Sequence, residues 1–127
     1  MAVSAVTLKD TDFETVVKVT TTGTNSAVSI VDASALEGAA SNPRLAIVAC
    51  QWTTGSQTNI LFDASSNDVA LSLNGNGAYN IGAQSMPSIS NPASAGVSGD
   101  ILLTNGSASV GTVWLKLRKV SGYANLE

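Results

Sequence analysis

Gly99-Asp100-Ile101-Leu102-Leu103-Thr104-Asn105-Gly106, followed by Val113-Trp114-Leu115-Lys116-Leu117-Arg118-Lys119, decides the fold class of this chain. Two apolar, strand-forming runs flank a stretch rich in Gly, Ser and Asn, the signature of a β-hairpin. Side chains of a strand alternate between its two faces. In the second run Val113, Leu115 and Leu117 therefore share one face, and Trp114, Lys116 and Arg118 the other. The first set is expected to face a core. The second is expected to face solvent or a neighbouring chain.

Working outward, strand-like segments recur along the whole sequence. Residues 12–20 are rich in β-branched side chains, and 27–31 follow the turn Thr22-Gly23-Thr24-Asn25. Residues 44–52 form the longest apolar run and predict a central strand buried on both faces. The next strand, 58–63, comes after the turn Thr54-Gly55-Ser56, and 69–73 leads into Asn74-Gly75-Asn76-Gly77. Asn-Gly is a strong hairpin signal because both residues tolerate positive φ, which makes 78–81 the return strand. Residues 32–36 are too short for a stable helix and read as one turn capped by Asp32. Residues 84–97 hold Pro87 and Pro92 and read as a long irregular connection, since Pro removes a ladder donor.

About eight short strands and one long crossing loop predict an all-β fold. The expected architecture is a two-sheet antiparallel β-sandwich, jelly-roll-like, with an immunoglobulin-like topology as the alternative. Residues 1–127 are expected to form a single domain, with about 1–10 as an extended N-terminal arm or edge strand. Leu126-Glu127 reads as a cloning scar.

Composition narrows the function classes. A chain of 127 residues buries roughly two-thirds of its unfolded surface and can stand without disulfides or metal. Cys50, the single cysteine, lies in the apolar run 45–50 and reads as a small buried hydrophobe. Charged residues make up 12% of the chain and the net charge is −3. No basic excess exists to neutralise phosphates, so no nucleic-acid partner is expected. Lys116, Arg118 and Lys119 read as a solvated strand face or a contact to an acidic partner. Hydrophobic residues reach 44%, which supports a folded core. The remaining surface must be Ser, Thr, Asn and Gly, a neutral covering that repels neighbours little. No secretory signal and no membrane-spanning run is visible, so a soluble cytoplasmic product with no membrane partner is expected.

The chain has no histidine, which removes the commonest general base and metal ligand. No Cys-His pair, nucleophile elbow or phosphate loop is present. Asp63, Asp68 and Asp100 are the candidates for paired-carboxylate chemistry, but each sits where Asp usually forms a turn. Residues 63–68 resemble a calcium loop without its central Gly, and its twelfth position would be Asn74. No catalytic, cofactor-binding or metal-binding residue is expected, and the chain reads as no enzyme. Trp52, Trp114, Tyr79 and Tyr123 could stack on a sugar, although such residues more often anchor cores and interfaces. Trp114 with Lys116 and Arg118 makes a mixed apolar and basic stripe, the best candidate for a subunit contact.

Several phrases together resemble a small structural-protein family of tailed bacteriophages of the marine and cyanobacterial type. They are Asp12-Phe13-Glu14-Thr15-Val16-Val17-Lys18-Val19, Val31-Asp32-Ala33-Ser34-Ala35-Leu36, and Trp52 ahead of Ile60-Leu61-Phe62-Asp63. Leu73-Asn74-Gly75-Asn76-Gly77-Ala78-Tyr79 and the closing Gly99-Asp100-Ile101-Leu102-Leu103-Thr104 with Lys119 complete the pattern. The resemblance implies a virion component with a jelly-roll-like fold, made in the host cytoplasm. A capsid decoration (cement) protein is the expected role, with the major capsid protein or other virion subunits as partners. The resemblance further implies a homo-oligomer, with a trimer favoured. A neck, tail or fibre-tip domain binding host glycans is the alternative. In the decoration role Trp114, Lys116 and Arg118, with Pro87 and Pro92, would be buried between chains. In a receptor-binding tip Tyr79 or Trp114 would line a groove.

Overall fold

Eight strands are present in the computed structural model, which describes residues 2–81, 87–91, 99–105 and 110–123. They are β1 (Ala2–Asp10), β2 (Glu14–Thr22), β3 (Asn25–Val31), β4 (Ala39–Phe62), β5 (Asp68–Tyr79), β6 (Ile89–Ser90), β7 (Ile101–Asn105) and β8 (Gly111–Tyr123). All pairings are antiparallel, in the order β1-β2-β8-β4-β7-β3, with β5 and β6 also on β4. The all-β class is as expected. Among the described residues the helical content is one 3-10 turn, Ala33–Ala35, capped by Asp32, whose Oδ1 accepts from Ser34 N at 3.0 Å.

The closing segments are not a hairpin. β7 and β8 both pair with β4, end to end and in the same direction: Ile101 opposes Phe62, Asn105 opposes Thr58, and Gly111 opposes Thr54. β2 and β3 repeat the arrangement against β8 and β7, with Thr21 opposite Gly111 and Asn25 opposite Asn105. β4 crosses the same level unbroken as a 24-residue strand, its register shifting between Thr54 and Thr58. β5 crosses it too, with Gly75 opposite Thr54 and Leu73 opposite Thr58. The sheet therefore turns one corner along a line through Gly23, Gly55 and Gly75. Gly75 has φ +71° there, the conformation that bulges and corners share with tight turns. The expected strands 44–52 and 58–63 thus fall in one strand, which ends at Phe62, and 69–73 and 78–79 in another, with Asn80 and Ile81 beyond its end.

The corner also replaces the two separate sheets of the expected sandwich with one continuous ladder. Inward side chains on both sides of it enter a single core. Val17, Val19, Ile47, Leu115 and Leu117 come from one side, and Ile30, Ile60, Phe62, Ile101 and Leu103 from the other. Full burial of each such aliphatic stabilises the fold by roughly 1.5–3 kcal/mol. Cys50 lies in this core, and of the run 44–52 expected to be buried on both faces, residues 45–47 and 49–50 are buried, whereas Arg44, Val48 and Trp52 are partly exposed and Gln51 is exposed.

Two buried polar side chains pin the curl. Asn105 Oδ1 accepts from Asn25 N at 2.8 Å and Asn25 Nδ2 at 3.0 Å, while its Nδ2 donates to Gly23 O at 2.7 Å. This holds the β2-to-β3 corner on the end of β7. Lys119 leaves the solvated cluster in which it was expected: it is 2% exposed. Its Nζ donates to Asp10 Oδ1 and Glu37 O, both at 2.7 Å, and to Thr11 O. The reason is parity, because Lys119 continues the inward set Val113, Leu115, Leu117. Of residues 84–97, the described part includes Ile89–Ser90, which pairs with Ala46 and Ile47. Pro92 and Leu126-Glu127 lie outside the described residues.

Candidate interaction surface

The outward face of β1, β2, β8 and β4 is built by strand parity. Val16 and Lys18 point away from the buried Val17 and Val19. Trp114, Lys116 and Arg118 point away from Val113, Leu115 and Leu117, the division expected for this strand. Register then sets the rows. Val6 stands beside Lys18, Lys18 beside Trp114, and Trp114 beside Gln51. The next row is Val16, Lys116 and Ala49, and Glu14 stands beside Arg118. Trp114 is 36% exposed. It walls a shallow groove of about 150 Å³ with Val16, Ala49, Gln51, Ile81 and Lys116.

Electrostatics distinguish this face from the rest of the chain. Lys18, Lys116 and Arg118 stand with Glu14 on its rows, whereas the chain as a whole carries −3. Glu14 is bonded by Lys9 at 2.8 Å and approached by Lys116 at 3.7 Å. The Lys9 hydrogen bond is the main reason its carboxyl is held below the ordinary range. An indole on a rigid sheet ringed by basic side chains can bury against an apolar partner while pairing with its carboxylates.

Pro87 is not part of these rows. Its carbonyl accepts from Tyr79 Oη at 2.6 Å on the segment leading into β6, which pairs with the edge of β4 opposite β8. The other aromatics also lie elsewhere. Trp52 packs inward over Gly77, where a Cβ would overlap its indole. Tyr123 is buried and donates to Ala33 O at 3.0 Å. Of the acidic candidates, Asp100 Oδ1 accepts from Ala33 N at 2.9 Å, and Asp63 N donates to Asp100 O at 3.1 Å. In the loop 63–68, Asn67 Oδ1 accepts from Ala64 N at 3.0 Å, the side-chain-to-backbone turn expected there. Val6, Val16, Lys18 and Ile81 were not singled out from the sequence. The alternation of Val16, Val17, Lys18 and Val19 was the available signal, but it does not say which strand lies beside β8.

No family model, no curated protein and no solved structure matches this chain.

Proposed function

We propose that this chain is a virion structural protein of the tailed-phage type, acting as a capsid decoration protein. In this reading it docks through the outward β1-β2-β8-β4 face. The observation that carries the proposal is the Trp114 row: a half-exposed indole on a rigid sheet, flanked by Lys18 and above Lys116 and Arg118. Shell subunits with acidic, apolar patches, the major capsid protein foremost, are the matching partners. The mechanism is burial, with an interface on the order of 1,600 Å² repeated across the shell. The two sides of the corner then act as the two layers of a jelly-roll-like sandwich.

Copy number in purified particles tests the role. Copies on the order of hundreds per particle fit a shell protein, because shell symmetry repeats each position; about a dozen or fewer would sink it. Trp114→Ala tests the face. The variant should bind particles at least about tenfold more weakly while keeping its monomer circular dichroism. Loss of monomer structure would instead make Trp114 a core residue.

A second reading, a neck, tail or fibre-tip domain that binds host glycans, draws on the groove beside Trp114. The indole gives that groove an aromatic wall on which a sugar could stack, although the surface that Gln51, Lys116 and their neighbours present inside it is almost wholly apolar. Tyr79 lends it no support, since its hydroxyl is engaged with Pro87. Calorimetric titration with bacterial surface oligosaccharides separates the readings: saturable heat lost in Trp114→Ala favours the glycan.

A further inference from the structure

We propose that residues 2–7 of β1 form a hinged arm, which leaves β2 as one unit by turning at Leu8 while Lys9 and Asp10 stay locked in the fold. The strand changes character at Leu8. Thr7 stands opposite Val17 and Lys9 opposite Val16, so Leu8 is the extra residue of a bulge, and it is 55% exposed. A bulge leaves one residue unpaired and bends its strand, which gives the ladder a place to part.

Past the bulge both residues are tied down. Lys9 O accepts from Oγ1 of the buried Thr15 at 2.9 Å, and Lys9 Nζ bonds Glu14 at 2.8 Å. Asp10 Oδ1 accepts from the buried Lys119 Nζ at 2.7 Å, and Asp10 Oδ2 from Glu37 N at 2.8 Å. Ahead of the bulge the ladder to β2 works almost alone. Side chains from Ser4 to Thr7 are exposed, including Ala5 and Thr7, which stand opposite the inward Val19 and Val17. Among the described residues one side-chain hydrogen bond reaches this stretch, from Thr20 Oγ1 to Ser4 O at 3.5 Å. A backbone hydrogen bond contributes, net, about as much as ordering one residue costs. A ladder without burial therefore holds the arm only marginally.

Val3 makes the opening all-or-none. It packs against the core, the one apolar anchor of the arm among the described residues, and it sits near the free end. Fraying that starts at Ala2 forfeits this contact first, and residues 4–7 then hold by the ladder alone. Two states result: the arm down with Val3 seated, and the arm off as far as Leu8. Lifting it frees the backbone edge of β2 from Val17 to Thr22 and takes Val6 away from Lys18. The Trp114 row loses its flank while the strands of the core stay paired. That consequence rests on the docking role proposed for this face; the hinge itself does not.

Amide hydrogen exchange of the full wild-type chain, read residue by residue by NMR, tests this. Amides of residues 2–7 that bond β2, and the β2 amides that bond the arm, should share one protection factor at least about a hundredfold below that of β4. The β2 amides that bond β8 should keep the protection of β4. Val3→Ala should lower the shared factor at least about threefold along the whole arm and leave β4 unchanged, while Val6→Thr should move neither. Arm protection less than about a hundredfold below β4, protection graded from Thr7 down to Ala2, or a Val3→Ala effect confined to its neighbours would overturn the proposal. These readouts concern the pure protein, so they are distinct from particle binding by Trp114→Ala.

Discussion

An ammonium taken out of water costs several kcal/mol unless its donors are met, and Lys119 meets that condition with Asp10, Thr11 O and Glu37 O. Lys119→Met leaves those acceptors stranded and should lower stability by about 3 kcal/mol in urea denaturation. Asp10→Leu added to it should recover part of the loss. Strand parity alone placed Lys119 on the inner face, but its charge argued for solvent. The partner that reverses that argument lies 109 residues away, beyond any local pattern. Thr54 is the opposite case: its Oγ1 is buried without a hydrogen-bond partner among the described residues. Thr54→Val removes the orphan at constant shape and should add about 1 kcal/mol, read as a higher urea midpoint. Cys50 was legible, because a lone cysteine in an apolar run is a buried hydrophobe. Burial pushes its thiol from 9.0 up to about 12. Tyr123 rises from 10.0 to about 12, through burial first and then the charges of Asp10, Asp100 and Asp32. In each, the folded state keeps a proton that the unfolded state releases earlier. Their contribution is whole below the unfolded values and is lost as pH climbs from 9.0 towards 12. Urea midpoints should fall across that range, and Cys50→Val should remove the part of the fall that begins at the lower end.

At the scale of elements, Asn74-Gly75-Asn76-Gly77 shows what a turn signal does and does not specify. The motif reported positive φ correctly, and Gly75 adopts it. Whether the chain then doubles back or runs on round a corner depends on its neighbour. β5 stays on β4 throughout, so the motif is a bend within one strand. The same ambiguity made the segment between β7 and β8 look like a hairpin tip. The two glycines of β5 are needed for different reasons. Gly75 has open space around it, so Gly75→Ala meets only the backbone penalty, about 1 kcal/mol. A Cβ at Gly77 strikes the Trp52 indole, so Gly77→Ala should cost about 2 kcal/mol. Shrinking the indole in a Trp52→Leu, Gly77→Ala pair should make the two changes non-additive. A double-mutant cycle of urea midpoints reads this directly, and simple additivity would place Trp52 away from β5.

For the molecule as a whole, the facing of β8 was legible for the six residues Val113 to Arg118, whereas the surface it belongs to was not. Alternation gives the two faces of any strand; only the ladder says that Lys18 and Gln51 flank Trp114. Leu115 and Trp114 test this partition as adjacent residues. Leu115→Asp buries an unpaired charge in the one core shared by both sides of the corner and should leave the chain unfolded by circular dichroism. Trp114→Ala should leave the spectrum unchanged. The position of β8 has a further consequence during biosynthesis. It lies between β2 and β4, and Glu14 near the start of the chain waits for Arg118 near its end. A ribosome therefore releases β1, β2 and β4 before the strand that joins them exists. β4 can already pair with β5 and β7, but until β8 emerges the β1-β2 pair has no strand to join it to that sheet, and its apolar side is left to chaperones or rapid completion to keep it from nascent neighbours.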